Sequence, residues 1–293
     1  MSENHKFNTI VFAGGGSRCL WQAGFMKRLQ KDVHVTPNAV AAVSAGSTVA
    51  AAFFADRGEF ALDYFSELTA KNPRNFYPSR VLGSQAAFPH ERMYRQAILA
   101  IFDAPSFAKL AEAPPIHVLL TRPPAWLGPR ASVLLAFSAY TLEKKLNNPV
   151  HPTFPPKLGF QPETAIAQDC STAAELADLL LSSSSTPPFT PVMNWRNGTA
   201  LDGGLIDNVP VSALPRSDGK TLVLLSRRYS DDSIPKLPDR LYVQPSHPIP
   251  ISKWDYTNPS GLRQAFELGQ KDAELFLRAE GKIKFTNGST APS

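Results

Sequence analysis

The stretch "AVAAVSAGSTVAAAFF", residues 39–54, decides how this chain is read. Its first five residues follow a turn at Thr36-Pro37-Asn38 and form a short apolar run that fits a buried strand, whereas Ala45 onward suits a helix ending near Asp56. Ser44 stands on the junction. A nucleophile elbow needs a strand, one serine on a strained turn, and small residues two places to either side, because strand and helix pass close together there. Gly46 meets that need, and Ala42 does so with one methyl more than the usual glycine. The other reading is a small polar residue in core packing. The segment carries no charge but is dominated by Ala, Ser, Gly and Thr, and it falls short of the ~20 strongly apolar residues that cross a bilayer. It reads as core.

Upstream, "NTIVF" (8–12) is an apolar, β-branched run that ends in Gly14-Gly15-Gly16, and "CLWQAGFMKRLQK" (19–31) follows with helical spacing of its apolar residues. The order strand, glycine loop, helix, strand, helix implies a parallel sheet with right-handed crossovers. Consecutive glycines at a helix start let backbone N–H groups crowd around an anion. That anion is a phosphate or the oxyanion of an acyl-transfer intermediate, unless the loop is a plain turn. A dinucleotide fingerprint would want Gly or Ala where Cys19 stands and an acidic residue after the next strand, yet no Asp or Glu occurs between Val33 and Ala55. No Gly-Lys-Ser/Thr follows to make a Walker A loop.

Downstream, residues 57–115 read as mostly helical, "IHVLL" (116–120) and "SVLLAF" (132–137) as strands, and the prolines between Leu146 and Gln168 as a surface excursion. Thr172-Ala173-Ala174-Glu175 is a capping-box start for a helix through about Leu181. "TLVLLS" (221–226) is a further buried strand. Asn258-Pro259 opens a last long helix that Gly281 is expected to close, and the tail 285–293 is expected to fray. Asp202-Gly203-Gly204 is either a common turn or the site of a base that takes a serine proton.

With 293 residues, 43% of them apolar, the chain can bury a full core, and 1–293 is read as a single catalytic domain. The net charge of +5 is spread without a run of basic residues, which argues against nucleic acid and leaves a mild attraction to anionic membrane surfaces. Cys19 and Cys170 lack the spacing of a disulfide framework or a zinc site, and no HExxH or EF-hand loop occurs, so no metal and no cofactor are expected. The N-terminus is too polar for a secretory signal peptide, so a cytoplasmic protein, at most peripheral to membranes, is expected. Trp126, Phe76 and Tyr77 lie beside arginines, a composition that suits a headgroup interface or ordinary surface loops.

Taken together, the three motifs resemble the patatin-like phospholipase family. Its Gly-Gly-Gly-x-Arg loop is matched by Gly14, Gly15, Gly16 and Arg18, its Gly-x-Ser-x-Gly by Ser44 and Gly46, and its Asp-Gly-Gly/Ala by Asp202, Gly203 and Gly204. The stretch "SSSSTPPFTPV" (182–192) resembles the Ser-rich segment that precedes the family's aspartate. Residues 57–170 carry little of the likeness and are expected to form a substrate cover. The resemblance implies an α/β three-layer sandwich with a central, mostly parallel sheet and helices on both faces. It further implies a lipid acyl hydrolase with a Ser44–Asp202 dyad, an oxyanion hole at Gly14–Gly16, a supporting Arg18, and a phospholipid or lysophospholipid substrate. Two rivals remain at this stage. One is a Ser44–Asp202–His247 triad in the chain order of α/β-hydrolases; the other is an anion- or lipid-binding module in which the serine is inert.

Overall fold

The computed structural model describes residues 7–80, 86–124, 126, 128, 131–132, 150, 157–196 and 198–286. The strand expected over 132–137 therefore falls, beyond Ser132, outside the described residues, as does the tail from 287.

Four buried runs make the centre of an eight-stranded, mostly parallel sheet: β1 (Thr9–Phe12), β2 (Ala39–Val43), β3 (Ile116–Arg122) and β7 (Thr221–Leu224). Pairing runs β5-β6-β3-β2-β1-β7-β8, with β4 (Gln161–Ile166) also on β3. The outer members are β5 (Met193–Trp195), β6 (Gly198–Asp202) and β8 (Arg240–Val243). Alternate residues of each central strand feed two cores, as the two-residue repeat of a strand requires. Ile10, Phe12, Ala42, Val118 and Leu224 face the larger core, which is covered by α-helices. Val11, Ala41, Val43, Leu119 and Val223 face a smaller one, covered among the described residues by Val209, the 3-10 turn Val211–Ala213, Leu214, Tyr229 and Ile234. The result is an α/β layered fold.

Seven α-helices lie among the described residues: α1 (Leu20–Leu29), α2 (Ala45–Phe54), α3 (Gly58–Ala70), α4 (His90–Ile101), α5 (Ala104–Ala111), α6 (Ala173–Ser182) and α7 (Pro259–Thr286). Two expectations need correction. Gly281 does not close the last helix, which runs on to Thr286; a single glycine in a helix interior lowers its stability by only ~1 kcal/mol. The Pro-rich excursion contains β4, which accommodates Pro162 because, among the described residues, β4 pairs with β3 alone.

β3 is the ruler that positions the site. Leu119 pairs with Thr164 of β4 and with Val43 of β2, while Leu120 pairs with Glu163 of β4 and with Asp202 of β6. Since β4 occupies one edge along its length, β2 and β6 must share the other, meeting end to end. The hairpin β5–β6 is fixed there by Arg122, whose guanidinium donates to Glu163 Oε1 at 2.7 Å and to the carbonyls of Trp195, Gly198 and Thr199.

On the helical face, α1 and α7 cross with their backbones nearly touching: a Cβ on Gly24 would stand 1.9 Å from the Phe266 carbonyl oxygen, and one on Gly269 would stand 2.0 Å from that of Trp21. Trp21 Nε1 donates to buried Asp272 at 2.7 Å across the same contact. Replacing Gly24 by leucine should force the two helices apart and lower stability by about 1–3 kcal/mol or more, read from urea unfolding followed by tryptophan fluorescence.

Candidate active site

β1 and β2 end side by side, and their C-terminal ends deliver the glycine loop and Ser44 to one place, as expected for ligand sites in open parallel sheets. Ser44 has φ +54° and ψ −139°, a conformation that L-residues rarely hold and that stores ~1–3 kcal/mol. This strain is tolerable only where neighbours fix it. The Ser44 N–H donates to Ser183 Oγ at 2.8 Å, and that hydroxyl donates in turn to the Leu119 carbonyl at 2.8 Å. Gly46 allows the turn to press against β1: a Cβ there would lie 2.5 Å from the Ala13 carbonyl oxygen. Ala42, by contrast, is fully buried without needing to be glycine.

Asp202 ends β6 and caps the 3-10 turn Gly203–Leu205 through Gly204 N–H, which donates to its Oδ1 at 2.7 Å. Its other oxygen, Oδ2, accepts from Ser44 Oγ at 2.9 Å and from Thr186 Oγ1 at 3.0 Å. Two residues 158 positions apart thus share a hydrogen bond. Gly203 lies where backbone meets backbone, with a would-be Cβ 2.3 Å from the Leu119 carbonyl oxygen. Burial raises the Asp202 carboxyl above the ordinary carboxylate range. The Gly204 N–H, Lys253, Ser44 and Thr186 each oppose that rise.

The glycine loop is clamped rather than free. Gly14 N–H donates to the Asn208 carbonyl at 3.0 Å, and the Gly14 carbonyl accepts from Asn208 Nδ2 at 2.9 Å and from Ser226 Oγ. Gly16 has φ +57° and packs its backbone on the Lys253 carbonyl, which also accepts from Ser17 N–H at 3.1 Å. Gly14, Gly15, Gly16, Ser44 and Asp202 line one cavity, together with Asn208 and Trp254 and the cations Arg18, Arg227 and Lys253. All the expected site residues except Gly46, Gly203 and Gly204 line it; those three pack behind.

Histidine does not line this cavity among the described residues. His247 is exposed, with Nδ1 2.9 Å from Ser246 Oγ. His117 sits on β3, where burial lowers its basicity. No cluster of three His, Cys, Asp or Glu side chains suited to a metal occurs among the described residues.

Sequence reasoning missed Ser183, Thr186, Asn208, Arg227, Lys253 and Trp254. The serine-rich run brackets both Ser44 and Asp202, which no local pattern reveals: Ser183 holds the elbow, Thr186 holds the carboxylate, and the Ser185 carbonyl accepts the Asp202 N–H at 2.8 Å.

A strained serine at a strand-to-helix turn, hydrogen-bonded to a carboxylate beside a glycine loop, thus sits on a layered α/β fold. The model of the patatin-like phospholipase family matches residues 10–215, and the chain belongs to that family of lipid acyl hydrolases. No curated protein sequence matches the chain. Among solved structures, VipD from Legionella pneumophila is similar with a TM-score of 0.45 and 12% identity, over 95% of this chain and 67% of that one. No helix among the described residues is long and apolar enough to cross a membrane.

The Asp202 proton gives a test of the electrostatics. Its folded-state affinity for a proton exceeds the unfolded one, so its contribution to stability is fully present below the unfolded pKa of about 3.9. That contribution is lost as pH rises through the higher folded value. Asp202→Asn has no such titration. Its stability relative to wild type should therefore rise with pH across that window in a urea-unfolding series, and a flat difference would contradict a raised pKa.

Proposed function

We propose that the protein hydrolyses carboxylic esters of lipids through an acyl-Ser44 intermediate, with Asp202 as the only side-chain base. The observation that carries this reading is the 2.9 Å hydrogen bond from Ser44 Oγ to Asp202 Oδ2 in a cavity that no histidine lines among the described residues. Ser44 Oγ attacks the acyl carbonyl carbon as its proton passes to Asp202. A free aspartate is a weak base, and the burial that raises its proton affinity moves it toward the task. The oxyanion so formed is met by backbone N–H groups. Because the Gly14 N–H is engaged by Asn208, Gly15 and Gly16 take the role of donors, each worth ~3–4 kcal/mol to the transition state. Collapse of the tetrahedral intermediate expels the alcohol, which takes its proton back from Asp202. Water then attacks the acyl-serine carbonyl, giving up a proton to Asp202; the second tetrahedral intermediate collapses with cleavage of the bond to Ser44 Oγ, which takes that proton back from Asp202, and the carboxylic acid leaves.

Arg18, Arg227 and Lys253 on the cavity wall favour an anionic headgroup, hence a phospholipid or lysophospholipid. Exposed Trp126 and Phe76 are suited to the surface of the lipid aggregate, a peripheral contact that leaves the chain outside the bilayer core. The triad with His247 has no geometric support. An inert binding module leaves the strained Ser44 backbone without a purpose.

Turnover of a p-nitrophenyl acyl ester distinguishes these readings. Ser44→Ala and Asp202→Asn should each lower kcat by at least about 10³-fold, on the scale of losing a nucleophile or its base, and His247→Ala should stay near wild type. Loss of activity in His247→Ala would favour the triad. For wild type, kcat/KM should fall as pH drops through the raised Asp202 pKa, because protonated Asp202 cannot accept the serine proton; the acid limb then lies above the range of an ordinary carboxylate.

A further inference from the structure

A second cleft lies beside the catalytic cavity, and Gly16 lines both. No charged side chain lines it among the described residues, and its walls come from the 3-10 turn Gly16–Cys19, from α1, α2, α3 and α4, and from Tyr256. Its polar lining groups are few: Thr48 and Tyr94 share a hydrogen bond, Ser17 Oγ donates to the Asp255 carbonyl at 3.1 Å, and Tyr256 is buried. Such a wall receives a hydrocarbon and rejects a headgroup.

Two helices give the cleft its length. Along α2 the lining runs from Ala45, next to the nucleophile, to Ala52; along α4 it runs from Tyr94, bonded to Thr48, to Ile101. Seven residues of helix span about 10 Å. At the far end stand Gly58 and Ala61 of α3, and there Arg57 ties α3 to α4: its Nε donates to the Ile101 carbonyl at 3.2 Å, and its guanidinium covers the Phe60 ring at 3.8 Å. The cleft therefore has a near end at the reacting carbonyl and a far end below a polar strap.

We propose that this cleft measures a single acyl chain of medium length, and that Gly58 and Ala61 set the longest chain it accepts. The inference rests on the ester-hydrolase reading and adds which part of the substrate lies where: the acyl chain passes Gly16 and runs between α2 and α4, while the headgroup stays with the cations. The side chains Ala45, Ala52, Ala61 and Ala97 on its walls are small, as room for an extended chain requires. Gly58 can be enlarged without strain, since a Cβ there meets nothing within 4 Å and its φ is not left-handed. As the first residue of α3 it also becomes a better helix former when replaced.

The test compares decanoyl and butanoyl p-nitrophenyl esters on wild type, Gly58→Leu and Ala61→Phe. The decanoyl-to-butanoyl ratio of kcat/KM should fall by about ten-fold in both variants, the order expected when two buried methylenes are displaced. Displacement of a fluorescent fatty-acid analogue by decanoate gives a readout that needs no turnover, and it should weaken to a similar degree in both variants. Ratios and decanoate affinities equal to wild type in both variants overturn the measuring pocket while leaving the hydrolase intact. Weakened decanoate binding in the variants of a protein that hydrolyses neither ester would support the pocket and remove the hydrolase reading instead.

Discussion

The hydrogen bond between Ser44 and Asp202 depends on a constraint set in the sheet. β2 and β6 arrive at one edge of β3 from opposite directions, and their registers on Leu119 and Leu120 leave their last residues face to face. Neither side chain has to reach far. A shift in the pairing of β6 by one residue would turn Asp202 to the other face of the sheet, because strand side chains alternate. The polar grip of Arg122 on the β5–β6 hairpin is what makes such a shift expensive: slipping would break its bonds to three carbonyls at once.

Around that junction, the segment from Ser182 to Pro191 works as a bracket. Ser183 reaches the elbow backbone and Leu119, Thr186 reaches the carboxylate, and Thr190 in turn accepts the Thr186 N–H at 2.6 Å and donates to the Ser184 carbonyl at 3.0 Å. On the other side, Asn208 and Ser226 hold Gly14. Preorganisation of this kind places dipoles before charge develops, which is where such sites obtain most of their rate. Its drawback is a buried carboxylate whose proton affinity is raised, so the base role proposed for Asp202 is set against stability.

Much of this was legible in the sequence because the central strands are buried on both faces and read as unbroken apolar runs, with glycine or proline marking their ends. "NTIVF", "AVAAV" and "TLVLLS" announced themselves, and the motifs attached to them followed. β5, β6 and β8 did not, for they are short and only partly buried, and Asn194 and Thr199 look like loop residues. β4 was hidden behind its prolines. In the site, Ser44 and Asp202 stood out by chemical type in a motif, whereas the roles of Ser183, Asn208 and Arg227 come from long-range juxtaposition that no local pattern encodes. Thr172 was an intermediate case: it caps α6 as expected, but Glu175 reaches back to the Ser171 N–H rather than to that of Thr172.

The central claim is that one serine becomes covalently acylated with one carboxylate as its base. Reaction with a fluorophosphonate followed by peptide mass mapping tests it most directly. The account predicts a single adduct on the peptide containing Ser44, formed at wild-type rate in His247→Ala and greatly slowed in Asp202→Asn. An adduct on any other residue, or an undiminished rate in Asp202→Asn, would contradict it.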